Sequence, residues 1–432
     1  MQESTEPPPV RAHRPTLLSD ELVRALVAAG HVDVLVGIPT LDNAATIAGV
    51  VEVVVASFAG PLARQRCLLL DADGGSQDGT PEIVRGAHIA GGAPLVAAHA
   101  LRTIHRISAP YHGVPGRGNG LRLVFAAADL VGARAVVVVD PDARDLTATA
   151  VAALARAVLD DGCDLVKPVC GRSPWERPLV TQLVAPLMGA VFGKRLSDPI
   201  ATQFACAGTF VASALEASCW DETLAGEGID VWLTAHALSG SARVGQVWAP
   251  GASEPAHALR PGAREAFQQV VGAVFGSLVA SDLRKQTPPP TDAVLIGAPQ
   301  PSGAARPAFD VTGFTSAFVQ GVTDLGPILA PALGQRILGA LGQASASATP
   351  RLDDDLWASV VFGALAAIGR HALSPSQIVA ALFPLYLGRV AAFLDETRTA
   401  TVEEAEARLD QLADAFVRAK AKLPDLLRDA PR

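Results

Sequence analysis

Two carboxylates separated by one residue, Asp140 and Asp142, follow the apolar run AVVVV (135–139). Such a run is typical of a buried strand, so the two carboxylates should lie at the strand's carboxyl end. Oxygen ligands of this kind suit Mg²⁺ or Mn²⁺ bound beside a diphosphate. An Asp-Pro-Asp sequence also forms a good turn, and the pair alone does not decide between the two interpretations.

A second polar group, DADGGSQDGT (71–80), follows another apolar run. Asp73 in this group could hydrogen-bond a base or ribose, because ligands of parallel sheets bind where strands end. An ordinary Asp/Gly turn that ends in a helix N-cap has the same composition. Both interpretations stay open at this point.

The segment PGRGNG (115–120) precedes a helical pattern of apolar residues. Small residues there would let backbone N–H groups approach a phosphate, while the helix N-terminus and Arg117 add positive potential. The segment is not a GxGxxG motif, and a flexible glycine loop is the alternative. We expect Arg117 to be exposed in this loop, where replacing it would change stability by ~0.5 kcal/mol at most.

Two later segments also carry residues that could do chemistry. AGEGIDVWL (225–233) places Glu227 and Asp230 three residues apart at a predicted helix start, where helix capping is the alternative role. His257 stands in SEPAHALRPG. A lone histidine is more often a surface or core residue than a ligand, and as a ligand it would join the two aspartates from a distant loop.

Residues 32 to about 170 alternate between strand and helix patterns. Asp42 is predicted to cap the first helix. The alternation is typical of an α/β fold with a mostly parallel sheet and helices on both faces. We predict strands over 33–39, 66–73, 93–100, 134–140 and 164–169, and helices over 42–58, from Thr80, over 118–131 and over 147–162.

The chain is predicted to have a helical C-terminal part beyond a linker rich in Pro, Gly and Ala. Ser374 and Thr401 begin capping boxes. Helices are predicted over 353–370, 375–397 and 402–422. We therefore divide the chain into a disordered leader (1–16), an α/β domain (17–285), a linker (286–307) and an all-α domain (308–432).

Composition limits the partners and the compartment. A net charge of −8 without a Lys/Arg run argues against nucleic acid. The apolar stretches 186–192 and 326–333 are shorter than the ~20 residues that span a bilayer, so no transmembrane segment is expected. The N-terminus lacks the apolar core of a signal peptide, and the five cysteines include no CxxC. We expect a cytoplasmic protein, which we predict to be a homodimer.

The order of the motifs GIPTLDN, DGGSQDGT, GRGNGL, VVDPDA, AGTFVAS, GEGIDVWL and AH resembles GT-A-type nucleotide-sugar glycosyltransferases over about residues 32–280. More narrowly, it is similar to glucosyl-3-phosphoglycerate synthases and to mannosylglycerate or glucosylglycerate synthases. The resemblance implies a Rossmann-like GT-A domain and a divalent cation, Mg²⁺ or Mn²⁺. It further implies transfer of glucose or mannose, with retention, from a GDP- or UDP-linked sugar to a small hydroxy acid.

The resemblance also implies roles for individual residues. Asp230 would lie beside the donor sugar and, with Arg117, serve in catalysis. Asp140, Asp142 and His257 would bind the cation. The donor would contact Pro39, Leu41, Asp42, Asp73, Ser76, Arg117 and Asp140, and the acceptor would contact Thr181, Arg177, Gly208, Thr209 and Arg260.

Two departures from the family concern the acceptor. Leu179 and Leu259 stand where phosphoglycerate enzymes have an arginine and an asparagine, so the resemblance favours an unphosphorylated acceptor such as D-glycerate. Arg177 and Arg260 lie close enough in sequence to compensate, which leaves 3-phosphoglycerate open. An inverting transferase acting on a lipid or glycan is another alternative, which an apolar acceptor groove would favour. A sugar-nucleotide-binding protein without turnover is the third.

Overall fold

The computed structural model describes residues 18–86, 105–110, 116–171, 173–217, 220, 228–249, 262–281, 283, 287–298 and 307–428. Its strands are β1 (Val34–Thr40), β2 (Cys67–Asp73), β3 (His105–Pro110), β4 (Ala135–Val138), β5 (Leu165–Val169), β6 (Lys194–Arg195), β7 (Phe204–Ala207), β8 (Val244–Trp248), β9 (Thr291–Asp292) and β10 (Val294–Ile296).

The helices of the α/β region are α1 (Asp20–Ala29), α2 (Ile47–Ala59), α3 (Thr80–Gly86), α4 (Arg117–Leu130), α5 (Ala148–Leu159), α6 (Ala185–Phe192), α7 (Gly208–Glu216), α8 (Ile229–Ser239) and α9 (Ala263–Ala280). A π-helical turn, Val180–Val184, leads into α6. The later helices are α10 (Val311–Ser345), α11 (Asp354–Gly369), α12 (Pro375–Glu396), α13 (Val402–Lys420) and α14 (Leu423–Arg428).

The main sheet has eight strands in the order β10-β8-β5-β7-β4-β1-β2-β3. Strand β7 is antiparallel to both of its neighbours, and the other pairs are parallel. The carboxyl ends of the parallel strands therefore share one edge, which we call the site edge. Strand β7 begins at that edge, because its first residue, Phe204, pairs with Val138 at the end of β4. The mostly parallel sheet is as predicted.

Helices cover both faces of this sheet, also as predicted. Side chains alternate between faces along a strand. Leu35 of β1 packs in the cluster that includes residues of α1 and α4. Its neighbours Val34 and Val36 pack in the cluster that includes residues of α2 and α5. The α/β class is thus confirmed at the level of individual side chains.

The C-terminal helices share one core with the end of the α/β region. The largest cluster of buried apolar residues joins α10 to α13 with α6 and α9. Helices α11, α12 and α13 lie where the sequence predicts them. Ser374 accepts a hydrogen bond from the Gln377 N–H, and Thr401 and Glu404 form the reciprocal capping box. The domain boundaries themselves stay a prediction.

Two local predictions need comment. Helix α2 begins at Ile47 rather than at residue 42, so the prediction that Asp42 caps it is wrong. Asp42 instead has a positive φ of 54° in the turn after β1, a conformation that aspartate tolerates. The strand predicted over 93–100 lies outside the described residues. On the side of β2 that faces away from β1, the neighbouring strand is β3.

Helix α12 bears on the expectation of no transmembrane segment. It is the one helix in the described ranges that is long and apolar enough to cross a membrane. It differs from the two apolar stretches, 186–192 and 326–333, on which that expectation was based. Of its most apolar window, 83% is buried inside the protein. Arg389 lies within it and is itself fully buried. Helix α12 therefore packs here as a core helix, and the absence of a membrane segment stays a prediction.

Candidate functional site

A cavity of about 550 Å³ opens at the site edge of the sheet. Its walls come from the ends of β1 and β4, the start of α4, the segment before α6, and helices α8, α9 and α12. Seven residues predicted from the sequence line it: Pro39, Leu41, Arg117, Asp140, Asp142, Arg177 and Asp230. The carboxyl ends of parallel strands and the N-termini of α4 and α8 meet at this edge, which explains how residues distant in sequence come together.

Asp140 and Asp142 are held in fixed orientations by neighbouring polar groups. The Asp142 N–H donates to Asp140 Oδ1 at 2.9 Å, and Thr202 Oγ1 donates to Asp140 Oδ2 at 2.9 Å. Asp142 Oδ1 accepts from Thr46 Oγ1 at 2.7 Å and from Asn43 Nδ2 at 3.2 Å. Such contacts orient carboxylates without consuming all of their lone pairs.

The donor set fits a hard divalent cation. Asp142 Oδ2 accepts no hydrogen bond from the residues that the structure describes, and both carboxylates line the cavity. Mg²⁺ and Mn²⁺ are commonly held by one or two carboxylates with water and substrate phosphates completing the shell. No group of three or more metal-ligating side chains occurs within the described ranges. His257, the predicted third ligand, lies outside them.

Arg117 and Asp230 form a buried ion pair on the same cavity wall. Arg117 Nε donates to Asp230 Oδ2 at 2.6 Å, and Nη2 donates to Asp230 Oδ1 at 3.1 Å. Their side chains are 9% and 3% exposed. Arg117 Nη2 also donates to the Thr202 carbonyl. Thr202 therefore joins the two halves of the site, since its hydroxyl holds Asp140 and its carbonyl holds Arg117.

The position of α4 explains why Arg117 reaches Asp230. Helix α4 can pack closely on β1 because Gly37 of β1 has no side chain. A Cβ at this position would lie only 2.4 Å from Val124 Cγ1 of α4. Arg117 is the first residue of α4 and is buried, so the expectation of an exposed loop residue is wrong. The sequence showed the glycines around Arg117 but not the carboxylate that α8 brings to it.

We expect Arg117→Ala to lower both turnover and stability. Deleting a preorganised charge costs on the order of 10²–10³-fold in rate. Leaving the buried Asp230 carboxylate without this partner costs about 3–5 kcal/mol of unfolding free energy. Steady-state kinetics and urea unfolding measure the two effects separately.

The double variant Arg117→Ala/Asp230→Asn is the control for Arg117→Ala. It removes the Asp230 charge that Arg117 no longer compensates, so it should recover part of the lost stability while turnover stays low. If turnover recovers together with stability, the ion pair serves the fold alone.

The turns after β1 and β2 form one hydrogen-bonded unit beside the cavity. The Asp42 N–H donates to Ser76 Oγ at 2.8 Å, and the Gln77 N–H donates to Asp42 Oδ1 at 2.8 Å. Asp73 is buried and accepts from the N–H groups of Gly75 and Ser76. Asp42, Asp73 and Ser76 thus shape the rim of the cavity without lining it, and their roles toward a nucleoside stay predictions.

Asp78 fixes the same two turns from the other side. Thr80 Oγ1 donates to Asp78 Oδ1 at 2.6 Å, and the Ala44 N–H donates to Asp78 Oδ2 at 2.8 Å. These hydrogen bonds, that from the Thr80 hydroxyl foremost, lower the pKa of Asp78 from its ordinary value. The sequence alone indicated no role for Asp78, Asn43, Thr46 or Thr202. The LDN motif contained a signal for Asn43, but the chain before β7 contained none for Thr202.

One part of the cavity wall is mostly apolar. It includes Leu179, Val180, Ile200, Val231, Phe267 and Val270. Arg177 lines the cavity but forms an ion pair with Asp198. Among the described lining residues, Arg117 and Arg177 carry the positive charges, and each already faces a carboxylate. A strongly anionic acceptor would therefore have to compete with these pairs.

Three of the remaining predicted acceptor residues, Thr181, Gly208 and Thr209, do not line the cavity. Thr181 lies in the π-helical turn, next to Val180, and does not line the cavity. Gly208 and Thr209 begin α7 at the opposite edge of the sheet, where Ala207 pairs with Ala135 at the start of β4. The expectation that Gly208 and Thr209 contact the acceptor is thus corrected, because the antiparallel direction of β7 places them at the far edge of the sheet. Arg260 lies outside the described residues.

No family model and no curated protein matches the chain. Among solved structures, it is similar to glucosyl-3-phosphoglycerate synthase from Mycobacterium tuberculosis in complex with Mn²⁺, UDP and glucosyl-3-phosphoglycerate. The TM-score is 0.41 and the identity 22%, over 62% of this chain and 86% of that one. A second structure of that enzyme gives a TM-score of 0.40 and 22% identity, over 65% of this chain and 94% of that one.

A further structure of the same enzyme contains Mg²⁺ and UDP, with a TM-score of 0.40 and 22% identity over 62% of this chain and 85% of that one. These structures come from the family that the order of motifs resembles. At this identity and TM-score, the likeness does not assign a substrate or a reaction to the chain.

Proposed function

We propose that the protein is a metal-dependent hexosyltransferase that uses a nucleoside-diphosphate sugar. The observation that carries this proposal is the single network Asp142–Asp140–Thr202–Arg117–Asp230 along one cavity. It combines oxygen donors for a cation with a fixed guanidinium and a buried carboxylate. A diphosphate leaving group needs the first two, and a sugar hydroxyl or acceptor hydroxyl can use the third.

Each group has a defined part in the proposed reaction. Asp140 and Asp142, with His257 as the predicted third ligand, would hold Mg²⁺ or Mn²⁺, which supplies charge neutralisation to the departing diphosphate. Arg117 adds fixed positive charge near the same phosphates. Asp230 orients the donor sugar, and its pairing with Arg117 keeps its two oxygens in place. The acceptor hydroxyl oxygen attacks the anomeric carbon as the bond from that carbon to the diphosphate oxygen breaks, and the hydroxyl proton passes to the departing diphosphate.

We further propose that transfer proceeds with retention of the α configuration. In that reaction Asp230 orients the sugar and does not form a bond to it. In an inverting reaction, a carboxylate in this place would instead take the proton of the acceptor hydroxyl. The ¹H NMR coupling constant of the anomeric proton in the first product formed distinguishes the two outcomes.

The test of the proposed function is a screen of donors and acceptors. UDP-glucose, GDP-glucose and GDP-mannose are each incubated with Mg²⁺ or Mn²⁺ and an acceptor, and released nucleoside diphosphate is measured. Release that needs both metal and acceptor supports the proposal. Binding of a donor without release in any combination would instead support a sugar-nucleotide-binding protein without turnover.

For the acceptor, we propose D-glycerate and predict that it is used better than 3-phosphoglycerate. Leu179 on the cavity wall offers no hydrogen bond to a phosphate, and Arg177 is already paired with Asp198. A phosphate placed there would leave charge without partners, which is costly. We expect kcat/KM to favour D-glycerate by about 10²-fold or more with one donor. A ratio favouring 3-phosphoglycerate would show that another basic group holds the phosphate.

A second candidate function is transfer to an acceptor with an apolar body, such as a lipid or an alkyl glycoside. The observation that favours it is the apolar wall of Leu179, Ile200, Val231 and Phe267. Octyl glycoside assayed beside D-glycerate separates the two candidates. A higher kcat/KM for octyl glycoside would replace D-glycerate with this class of acceptor.

A further inference from the structure

Tyr386 lines the cavity although it belongs to the C-terminal helices. Its ring packs on Phe267 of α9, with the ring centroids 5.0 Å apart, and on Phe383, 6.3 Å away. Phe267 also lines the cavity. Tyr386 is therefore a hydroxyl-bearing residue of α12 in a part of the cavity lining that is mostly apolar.

The Tyr386 hydroxyl is buried and has no hydrogen-bond partner among the described residues. The residue is only 2% exposed. Most buried polar groups are paired, and an unpaired one costs free energy. Burial also raises the pKa of this hydroxyl, so it stays protonated and can donate. A protonated hydroxyl at a cavity wall can therefore gain a hydrogen-bond acceptor when a ligand binds in the cavity.

We propose that Tyr386 is an acceptor-binding residue, and that the C-terminal helices complete the acceptor half of the site by supplying its hydroxyl. This inference rests on the proposed function and adds a residue to it. The ring already forms part of the wall, so a change in its side-chain torsions brings the hydroxyl to an acceptor oxygen. A hydroxyl donor in a mostly apolar wall favours an acceptor that carries little charge. One hydroxyl or carboxyl oxygen of that acceptor would accept the hydrogen bond from Tyr386.

Contacts between the two parts of the chain hold this wall in place. Trp357 Nε1 of α11 donates to the Gln182 carbonyl at 2.7 Å, and Arg389 Nε of α12 donates to Gln182 Oε1 at 3.1 Å. Gln182 lies two residues after Val180, which lines the cavity. The helices that carry Tyr386 are thus fixed to the segment that forms the adjoining wall.

The experiment uses Tyr386→Phe in the full chain, with D-glycerate as acceptor. The variant should raise the KM for D-glycerate about tenfold, because one hydrogen bond to the acceptor is lost. The affinity for UDP with Mn²⁺ should stay unchanged, because Tyr386 is assigned to the acceptor and not to the donor. The melting temperature should not fall, because the hydroxyl has no partner to lose.

Ser173→Ala is the matched control, since Ser173 also has a buried hydroxyl without a partner in the described part of the chain but does not line the cavity. It should leave the KM for D-glycerate unchanged. An unchanged KM in Tyr386→Phe, an equal rise in both variants, or a fall in the melting temperature of Tyr386→Phe would each overturn the inference. A wild-type protein that releases no nucleoside diphosphate with any donor and acceptor would instead contradict the proposed function, while the melting temperature of Tyr386→Phe still tests the inference.

Discussion

Asp142→Ala should lower kcat by on the order of 10²–10³-fold while the protein stays folded. Asp142 is exposed at the cavity, so its removal should change the unfolding free energy by about 0.5 kcal/mol. The reaction loses a carboxylate whose orientation is fixed by Thr46 and Asn43. Steady-state release of nucleoside diphosphate, measured across a titration of Mn²⁺, gives the effect on turnover and on the metal requirement.

Asp145→Ala is the control for charge, because Asp145 is an exposed carboxylate in the same loop and does not line the cavity. It should behave as wild type. Calorimetry adds a readout that does not need turnover, since binding of UDP should depend on Mn²⁺ in wild type and lose that dependence in Asp142→Ala. Near-normal turnover of Asp142→Ala, or of wild type in EDTA, would remove the metal assignment.

The position of Asp140 and Asp142 could be predicted from the sequence because it depends on local patterns. The apolar run before them specifies a buried strand, and parallel strands present their carboxyl ends at one edge. The same reasoning placed Pro39 and Leu41 at that edge. Predicting the positions of these residues does not require knowing how distant parts of the chain pack.

Other parts of the site depend on packing that a single sequence does not specify. Strand β7 reads like any short apolar strand, and nothing in its residues gives its direction. That direction places Thr202 in the site and carries Gly208 and Thr209 away from it. The burial of Arg117 likewise follows from the way α8 packs beside α4, because Asp230 lies far along the chain. Tyr386 was not anticipated, since it stands in an apolar helix with no motif around it.

Arg389→Met should destabilise the protein by about 3 kcal/mol or more, which is the second large effect that we expect. Arg389 is fully buried on α12, and its Nη2 donates to Glu396 Oε2 at 2.9 Å. It also contacts Asp354 at 3.0 Å. Methionine fills a similar volume but leaves these two mostly buried carboxylates with less positive charge, and Gln182 Oε1 loses the hydrogen bond from Arg389.

The neighbouring arginines limit the loss but do not remove it. Arg408 contacts both Asp354 and Glu396, and Arg351 contacts Glu396. These contacts persist in the variant, so the carboxylates keep partial compensation. Of these three arginines, Arg389 is the one that donates a hydrogen bond to Gln182 beside the cavity wall. We therefore expect its loss to raise the KM for the acceptor as well, which links the buried network to the site.

Arg418→Met is the matched control for Arg389→Met, because Arg418 pairs with Asp355 between α13 and α11 but on the surface. Their side chains are 57% and 70% exposed, and such pairs contribute about 0–1 kcal/mol. Urea unfolding of the two variants under the same conditions measures the difference. Equal losses of unfolding free energy in the two variants would mean that burial of the Arg389 network adds nothing to stability. A loss confined to Arg389→Met, together with a raised acceptor KM, would show that α12 supports both the core and the cavity wall.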